Sequence, residues 1–391
     1  MTIIKGPQAF PRSEYLRRLA AVKSAMARLE IETLFVVYPA NLTYLTGYIG
    51  GGWPTTVPHG LVVSVHREEP IFILRKMDVP GALHQAFLQH GNVIGYPEDL
   101  VAKPGADGYD AVIDFVNELG AANRGLGLEQ NVLPTQTIEK FKARLPNAKV
   151  IDCSSLVAWV RIIKSELEIS VMREAAAITD AAIARAAEVI RPGVREADAA
   201  AEIIGTLIRG VNGKGGSGIQ NFFLCASPRA STPHFAWTDD VFGPGSQINL
   251  ELGGKRHGYC AAIMRTFSIG KPSDRLRRIH EAEVAGLEAA LGKVRPGATC
   301  SDVANAFYRT IEKQGFSKES RCGYSLGINW VEQTASLRDG DTTELKPNMT
   351  FHLMLGNWVD EDFGYVLGES FRVTEGGFEV LTSTPRKLFE L

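Results

Sequence analysis

The sequence predicts a two-domain α/β protein. Three observations carry that expectation. The chain has 391 residues, and about 100–200 residues fill one domain. Apolar runs of strand length alternate with helical periodicity through the first part, up to Asp152. Beyond it, a capping-box start at Ser165 opens a long helix, and an Arg-Pro-Gly turn occurs twice.

Tyr15, Leu16, Leu19, Val22, Met26 and Leu29 recur at helical spacing, so residues 12–29 read as a helix. Residues 33–38 (TLFVVY) follow as a buried strand, residues 41–47 as a loop or short helix, and a glycine-rich segment runs around residues 50–53. Residues 60–66 and 70–75 read as paired strands about a charged turn. Strand and helix then alternate through residues 92–96, 109–119, 125–129, 135–145 and 149–152, the order of an α/β layer structure. The boundary falls within residues 157–165, giving domains of residues 1–160 and 161–391. Ser165, three residues before Glu168, starts a helix running to about Ile190. Residues 189–200 and 293–304 echo one another, each a helix end, an Arg-Pro-Gly turn and an N-capped helix. Two copies are too few for a solenoid and suit two related halves of one domain.

Composition narrows the class of protein. An apolar content of 45% against 22% charged residues is that of a soluble globular chain with full-sized cores. A formal charge of -2 gives nucleic acid or an anionic membrane no electrostatic reason to bind. The start has no basic flank before an apolar core, so no secretory signal is expected. No apolar run approaches the ~18–20 residues of a membrane span. The five cysteines, Cys153, Cys225, Cys260, Cys300 and Cys322, are odd in number and scattered, with no Cys-x-x-Cys pair. That argues for a reduced cytoplasmic setting, and against a disulfide framework or a zinc site.

Most of the chemistry is concentrated in residues 248–267. Ile248, Leu250 and Leu252 alternate with Asn249 and Glu251, a half-buried strand pattern. Gly253 and Gly254 break it, Gly258 marks a tight reversal, and residues 259–267 return. A carboxylate at Glu251 among apolar neighbours needs a partner or a chemical role. Pairing with Arg265 for structure is one reading, and a place in a reaction site is the other.

This run resembles the hairpin of the pita-bread fold, shared by methionine aminopeptidases, prolidases and creatinase. The peptidase pattern is Asp-x-Gly followed by Gly-Tyr-x-x-Asp-x-x-Arg-Thr-Phe, with both aspartates binding a dinuclear metal centre. Gly253, Gly258, Tyr259, Arg265, Thr266 and Phe267 match that frame, while Glu251 and Ala262 stand at the two ligand positions. The resemblance spans nearly the whole chain, strongly from about residue 165 onward. It implies a creatinase-like amino-terminal α/β domain, which dimerises and caps the substrate, and a pita-bread catalytic domain with pseudo-two-fold α+β halves. The echoed Arg-Pro-Gly turns fit such halves.

Three further ligand positions follow from the same resemblance. Residues 323–327 (GYSLG) match the Gly-His-Gly-x-Gly run, placing Tyr324 where the ligand histidine stands. Met354 falls at the first glutamate, with His352 the nearest polar group if that strand slips, and Glu369 is expected to keep the last. Two carboxylates, an alanine, a phenol and a thioether do not hold two hard cations, so no metal and no other cofactor is expected.

Creatinase and ectoine hydrolase are the metal-free members that the chain resembles, and both act on small zwitterions bearing an amidine-type cation. Residues 348–353, 365–374 and 385–389 look most like ectoine hydrolases. What this implies is metal-independent hydrolysis of a cyclic amidine, with ectoine or hydroxyectoine opened to N-acetyl-2,4-diaminobutyrate. His234 would be the general acid/base, Glu251 the nucleophile or general base, and Glu369 the grip on the amidinium nitrogens. Tyr324 would either donate to the developing tetrahedral centre or fill the vacated histidine space. Trp237, Trp330 and Trp358 would box a small cation or simply pack. Arg75 would bind the substrate carboxylate from a partner subunit or remain a solvated strand-end charge, and a homodimer is implied. His257 is expected to be exposed at the hairpin turn, and His59 lies in an amino-domain loop whose role is open. The loop after residues 327–330 reaches residues 333–337 sooner than in ectoine hydrolases, so a related amidine or a guanidino acid stays open as substrate. A metal-dependent Xaa-Pro peptidase and a non-catalytic binding scaffold are the competing readings.

Overall fold

The computed structural model describes residues 4–50, 57–101, 103–361 and 363–391. Beyond Gly50 the glycine-rich segment expected around residues 50–53 lies outside them. The chain divides into two compact units, Met1–Arg161 and Ile162–Leu391.

The first unit alternates helix and strand: α1 (Arg12–Arg28), β1 (Thr33–Val36), α2 (Pro39–Thr46), β2 (Gly60–Ser64), β3 (Ile71–Arg75), α3 (Val79–Gln85), β4 (Val93–Tyr96), α4 (Gly108–Glu118), β5 (Gly125–Leu128), α5 (Thr135–Arg144), β6 (Lys149–Asp152) and α6 (Leu156–Val160). Its sheet has the order β4-β3-β2-β1-β5-β6. β1 is parallel to β5 and antiparallel to β2. Tyr109, Val112, Ile113, Ile138 and Phe141 from α4 and α5 cover Phe35, Val62 and Ile73, each such buried side chain contributing about 1.5–3 kcal/mol. Residues 41–47 resolve as helix, with Pro39 preset for the first turn and Gly47 ending it at φ +80°. Glu129 just beyond β5 is fully buried and accepts from the Val37 N–H at 2.7 Å, the Tyr38 N–H at 2.6 Å and Asn41 Nδ2 at 2.5 Å. It holds the α2 entry in place.

The second unit comprises α7 (Glu166–Val189), α8 (Glu196–Arg209), β7 (Gln220–Ala226), β8 (Gln247–Arg256), β9 (Tyr259–Ser268), α9 (Asp274–Leu291), α10 (Cys300–Glu312), β10 (Gly323–Ser325), β11 (Ser336–Leu337), β12 (Thr350–Met354), β13 (Asn357–Asp360), β14 (Phe363–Tyr365), β15 (Gly368–Thr374), β16 (Gly377–Val380) and β17 (Phe389–Glu390). The capping box at the start of α7 forms as the spacing predicts, Ser165 and Glu168 exchanging bonds of 2.9 and 3.3 Å. The main sheet runs β11-β10-β12-β15-β9-β8-β7, with β16 on β15 and β17 on β9. Contrary to the expected break, β8 continues through Gly253 and Gly254 to Arg256. The glycines serve packing instead. A Cβ at Gly254 would stand 2.4 Å from the Ala175 carbonyl oxygen, so its absence lets α7 lie against the hairpin. The reversal is made by His257 and Gly258, both at positive φ, a two-residue connection that matches strand twist. His257 is half-buried there rather than exposed.

One face of this sheet is covered by helices in two blocks. Residues of α7 and α8 pack on Leu224, Leu250, Leu252 and Ile263. Residues of α9 and α10 pack on Phe351, Leu353, Phe371 and Val373. The halves share a hydrogen-bond pattern. Gly193 and Gly297, at φ +81° and +83°, donate to the carbonyls of Phe242 and Leu345. The first N–H groups of α8 and α10 then donate to the carbonyls of Asp240 and Thr343 respectively. Side-chain capping differs: Thr299 and Asp302 form a capping box on α10, whereas Arg195 gives α8 none.

Candidate active site

Side chains alternate across a strand, so the register sorts every candidate onto one face or the other. Leu250 and Leu252 point into the helix-covered core, and Glu251 therefore points the opposite way. Its cross-strand neighbours are Phe223 on β7 and Met264 on β9. Ala262 lies opposite Gly253, and Gly368 opposite both Met264 and Met354. His352 lies between Ser370 and Tyr324. Glu251, Ala262, Met264, Tyr324, His352, Met354 and Gly368 thus share the open face.

Glu251 is only 6% exposed. Burial pushes its carboxyl up to about 8, and the indole N–H of Trp330 partly offsets that by donating to it. The expected alternative, a structural pair with Arg265, does not form. Arg265 lies on the helix-covered face, where it donates to Glu369 at 2.8 Å and to the carbonyls of Met264, Gly368, Thr384 and Pro385.

Glu369 is accordingly turned away from the site. It lies opposite Leu353, between Gly368 and Ser370 of the open face, and the alternation sends it to the helices. Its oxygens accept from Arg265, from Thr382 Oγ1 at 2.5 Å and from Arg386 at 3.1 Å. The residue that stands on the open face beside Met354 is Gly368. This corrects the expectation that Glu369 grips a substrate.

Tyr324 is buried at the edge of the same face. Its phenol is raised well above the usual range, first by burial and then by the Glu251 charge. Its Oη accepts from the Trp330 indole and lies 3.4 Å from His352 Nδ1. Trp330 reaches this place because Gly253 has no side chain: a Cβ there would sit 2.5 Å from the indole. The supporting loop is fixed by buried Glu332, which accepts from the N–H and Nδ2 of Asn329, both at 3.3 Å. Trp330 therefore acts through its N–H, as the link between Glu251 and Tyr324, more than as one wall of a cation box.

His234 is exposed on the loop that follows β7, and its ring packs edge-on against Phe223, the neighbour of Glu251, with centroids 5.1 Å apart. Asn249 secures the same loop by donating to the Ala230 carbonyl at 2.7 Å. Trp237, three residues on, packs instead against Phe222, whose side chain belongs to the helix-covered core. Trp358 sits on the β13–β14 ribbon with the Lys318 ammonium 5.7 Å from its ring. Neither tryptophan joins Glu251, so the expected three-ring box is reduced to Trp330. Arg75 is engaged within the first unit by Glu98, through a 2.7 Å bond from Nε and a second from its terminal nitrogen. His59, also there, is buried with Nε2 3.1 Å from Asp78, and burial lowers its imidazole. Sequence reading reached His352 only through a slip of its strand; with the strand unslipped it still faces the site.

The chain belongs to metallopeptidase family M24, whose model matches residues 170–375. A creatinase/prolidase N-terminal domain model matches residues 18–163. Among relatives, a hydrolase/peptidase of Sinorhizobium fredii with uncharacterised activity is 62% identical over 99% of each chain. An ectoine hydrolase of Halomonas elongata is 34% identical over 97% of this chain and 98% of its own. An X-Pro aminopeptidase from Thermotoga maritima has the same fold, with a TM-score of 0.83 at 21% identity over 95% of this chain and 99% of its own. These findings place the chain in a hydrolase family with the creatinase-type two-domain architecture. The family implies metal, and the side chains do not fit one. Among the described residues no group of three or more His, Cys, Asp or Glu is placed to hold a metal ion. On this face, among the described residues, Glu251 is the sole carboxylate and His352 the sole imidazole beside an alanine, a glycine, two thioethers and a phenol, too few donors for two hard cations.

Proposed function

We propose that this protein is a metal-independent hydrolase of a small zwitterionic cyclic amidine, with ectoine and hydroxyectoine the leading substrates. The observation that carries the reading is Glu251, a buried carboxyl with one indole donor and no cationic partner among the described residues. A desolvated carboxyl of this kind stays neutral in the free protein and ionises when a cation arrives beside it. An amidinium is such a cation, and its central carbon is the electrophile.

In the reaction the C2–N bond of the ring breaks and a C2–O bond forms. Water supplies the oxygen, and both of its protons finish on the departing nitrogen, which leaves as an ammonium. Glu251 serves either as the base that deprotonates water or as the nucleophile in a first step; both begin from its ionised form. His234 carries the proton to the departing nitrogen. The relationship to the ectoine hydrolase supports the substrate class, and the lack of a cluster of three or more His, Cys, Asp or Glu among the described residues supports metal independence. A guanidino acid is the alternative substrate. The homodimer implied by the family resemblance belongs to the same reading.

Chelator-treated protein, incubated separately with ectoine, hydroxyectoine and creatine and followed by proton NMR, tests it. Ring opening of an ectoine without added metal is the expected result. No turnover of any of the three, together with manganese- or cobalt-dependent cleavage of an Xaa-Pro dipeptide, would establish a metallopeptidase instead.

A further inference from the structure

His352 has no part in the reaction just described, yet it is fully buried on the open face. Its Nε2 is buried with no hydrogen-bond partner among the described residues, an arrangement that is costly unless a ligand completes it. The nitrogen lies over Gly368, where a Cβ would come within 2.9 Å of Nε2 and 3.1 Å of Met264 Cγ. Met264 is the cross-strand neighbour of Glu251. Nε2 therefore lies against a glycine, with the Leu353 carbonyl and the neighbour of the reactive carboxyl beside it.

The Nε2–H tautomer supplies a proton to every hydrogen bond in this chain. An indole N–H only donates. Trp330 donates to Tyr324 Oη, which leaves the Tyr324 hydroxyl proton free to point elsewhere. The group within its reach is His352 Nδ1, at 3.4 Å. With Nδ1 accepting, the single proton of the neutral ring sits on Nε2. Burial lowers the imidazole to about 3, so the ring stays neutral at ordinary pH. In that tautomer the unpartnered nitrogen is a donor and fits an acceptor.

We propose that His352 Nε2–H binds the carboxylate of the zwitterionic substrate, so that the cation lies at Glu251 and the anion at His352. This rests on the amidine hydrolase reading for its substrate, while the donor assignment is part of the proposal and is read separately by the tautomer. Met264 borders both Glu251 and Nε2, so the two ends of the zwitterion would lie on either side of it. His352 is thereby a specificity residue that selects amidines bearing a carboxylate.

Two measurements test the proposal. Ring nitrogen-15 NMR of the unliganded protein, with the His352 signals assigned by their loss in His352→Phe, should show the Nε2–H tautomer; an Nδ1–H tautomer would overturn it. Relative kcat/KM for ectoine and for the same ring lacking its carboxylate forms the second. Wild type should favour ectoine by about 10–100-fold, the range of a hydrogen bond to a charged group. That ratio should collapse toward one in His352→Phe, while His352→Gln, which retains a donor, recovers part of it. A ratio unchanged in His352→Phe would overturn the carboxylate assignment. Turnover of neither ring by wild type would defeat the hydrolase reading, and the proposal would then stand or fall as a donor assignment on the tautomer.

Discussion

Glu251 and Glu369 are both buried carboxylates of one sheet, and they sit on opposite faces of it. Glu369 is saturated: two guanidinium groups and a threonine hydroxyl donate to its oxygens. Glu251 has the Trp330 indole and apolar neighbours. A carboxylate with cationic donors supplied by the protein holds architecture together. One left short of donors is, on the proposed function, held ready for a cation that the protein does not itself supply. That contrast in donors, and not either residue's place in a motif, is why Glu251 is the one proposed to react.

The largest effect expected is on turnover. Glu251→Gln should reduce kcat by about 10²–10⁴-fold or more with folding retained, as removal of an acid/base or nucleophilic group does. Glu369→Gln should do the reverse. It leaves Arg265, fully buried, without its charge partner, at a cost of about 3–5 kcal/mol in chemical denaturation, while turnover per folded molecule is largely kept. Gly253→Ala drives a methyl group against the Trp330 ring and the Ala261 carbonyl. About 1–3 kcal/mol of stability should be lost, together with activity as the indole is displaced from Glu251.

Smaller effects come from pH. The folded pKa of Glu251, about 8, lies above the ordinary 4.5. The native state therefore binds the extra proton between those values. Its contribution to stability is present below about 4.5 and is lost as pH rises through about 8. The stability of wild type relative to Glu251→Gln should decline across that window. The acid limb of kcat/KM should fall near the upper value, and Trp330→Phe should move it higher by removing the donor to the ionised form. Trp237→Ala should change kcat/KM least, by no more than about two-fold, since that ring packs on the helix side of β7 and meets no substrate in this account.

The hairpin, its reversal at Gly258 and the echoed halves were legible in the sequence because alternation and turn chemistry are local properties. Glu251 was legible for the same reason: three flanking apolar residues fixed its face. Glu369 was not, because the even residues of β15 face the site, and an alignment wrong by one residue exchanges the two faces. Gly368 carries no side chain to signal that it holds the site position. His234 and Trp237 share one loop, and only the packing of Phe223 and Phe222 on opposite faces of β7 separates them. His352 gave no motif. Its importance lies in an unpartnered nitrogen, which depends on three strands and a glycine meeting in space.

The most direct test is a side-by-side measurement of ectoine hydrolysis by chelator-treated wild type, Glu251→Gln and Glu369→Gln, each normalised to folded protein. The account predicts turnover abolished or nearly so in the first variant and near wild type in the second. Equal loss in both, or survival of turnover in Glu251→Gln, would contradict it.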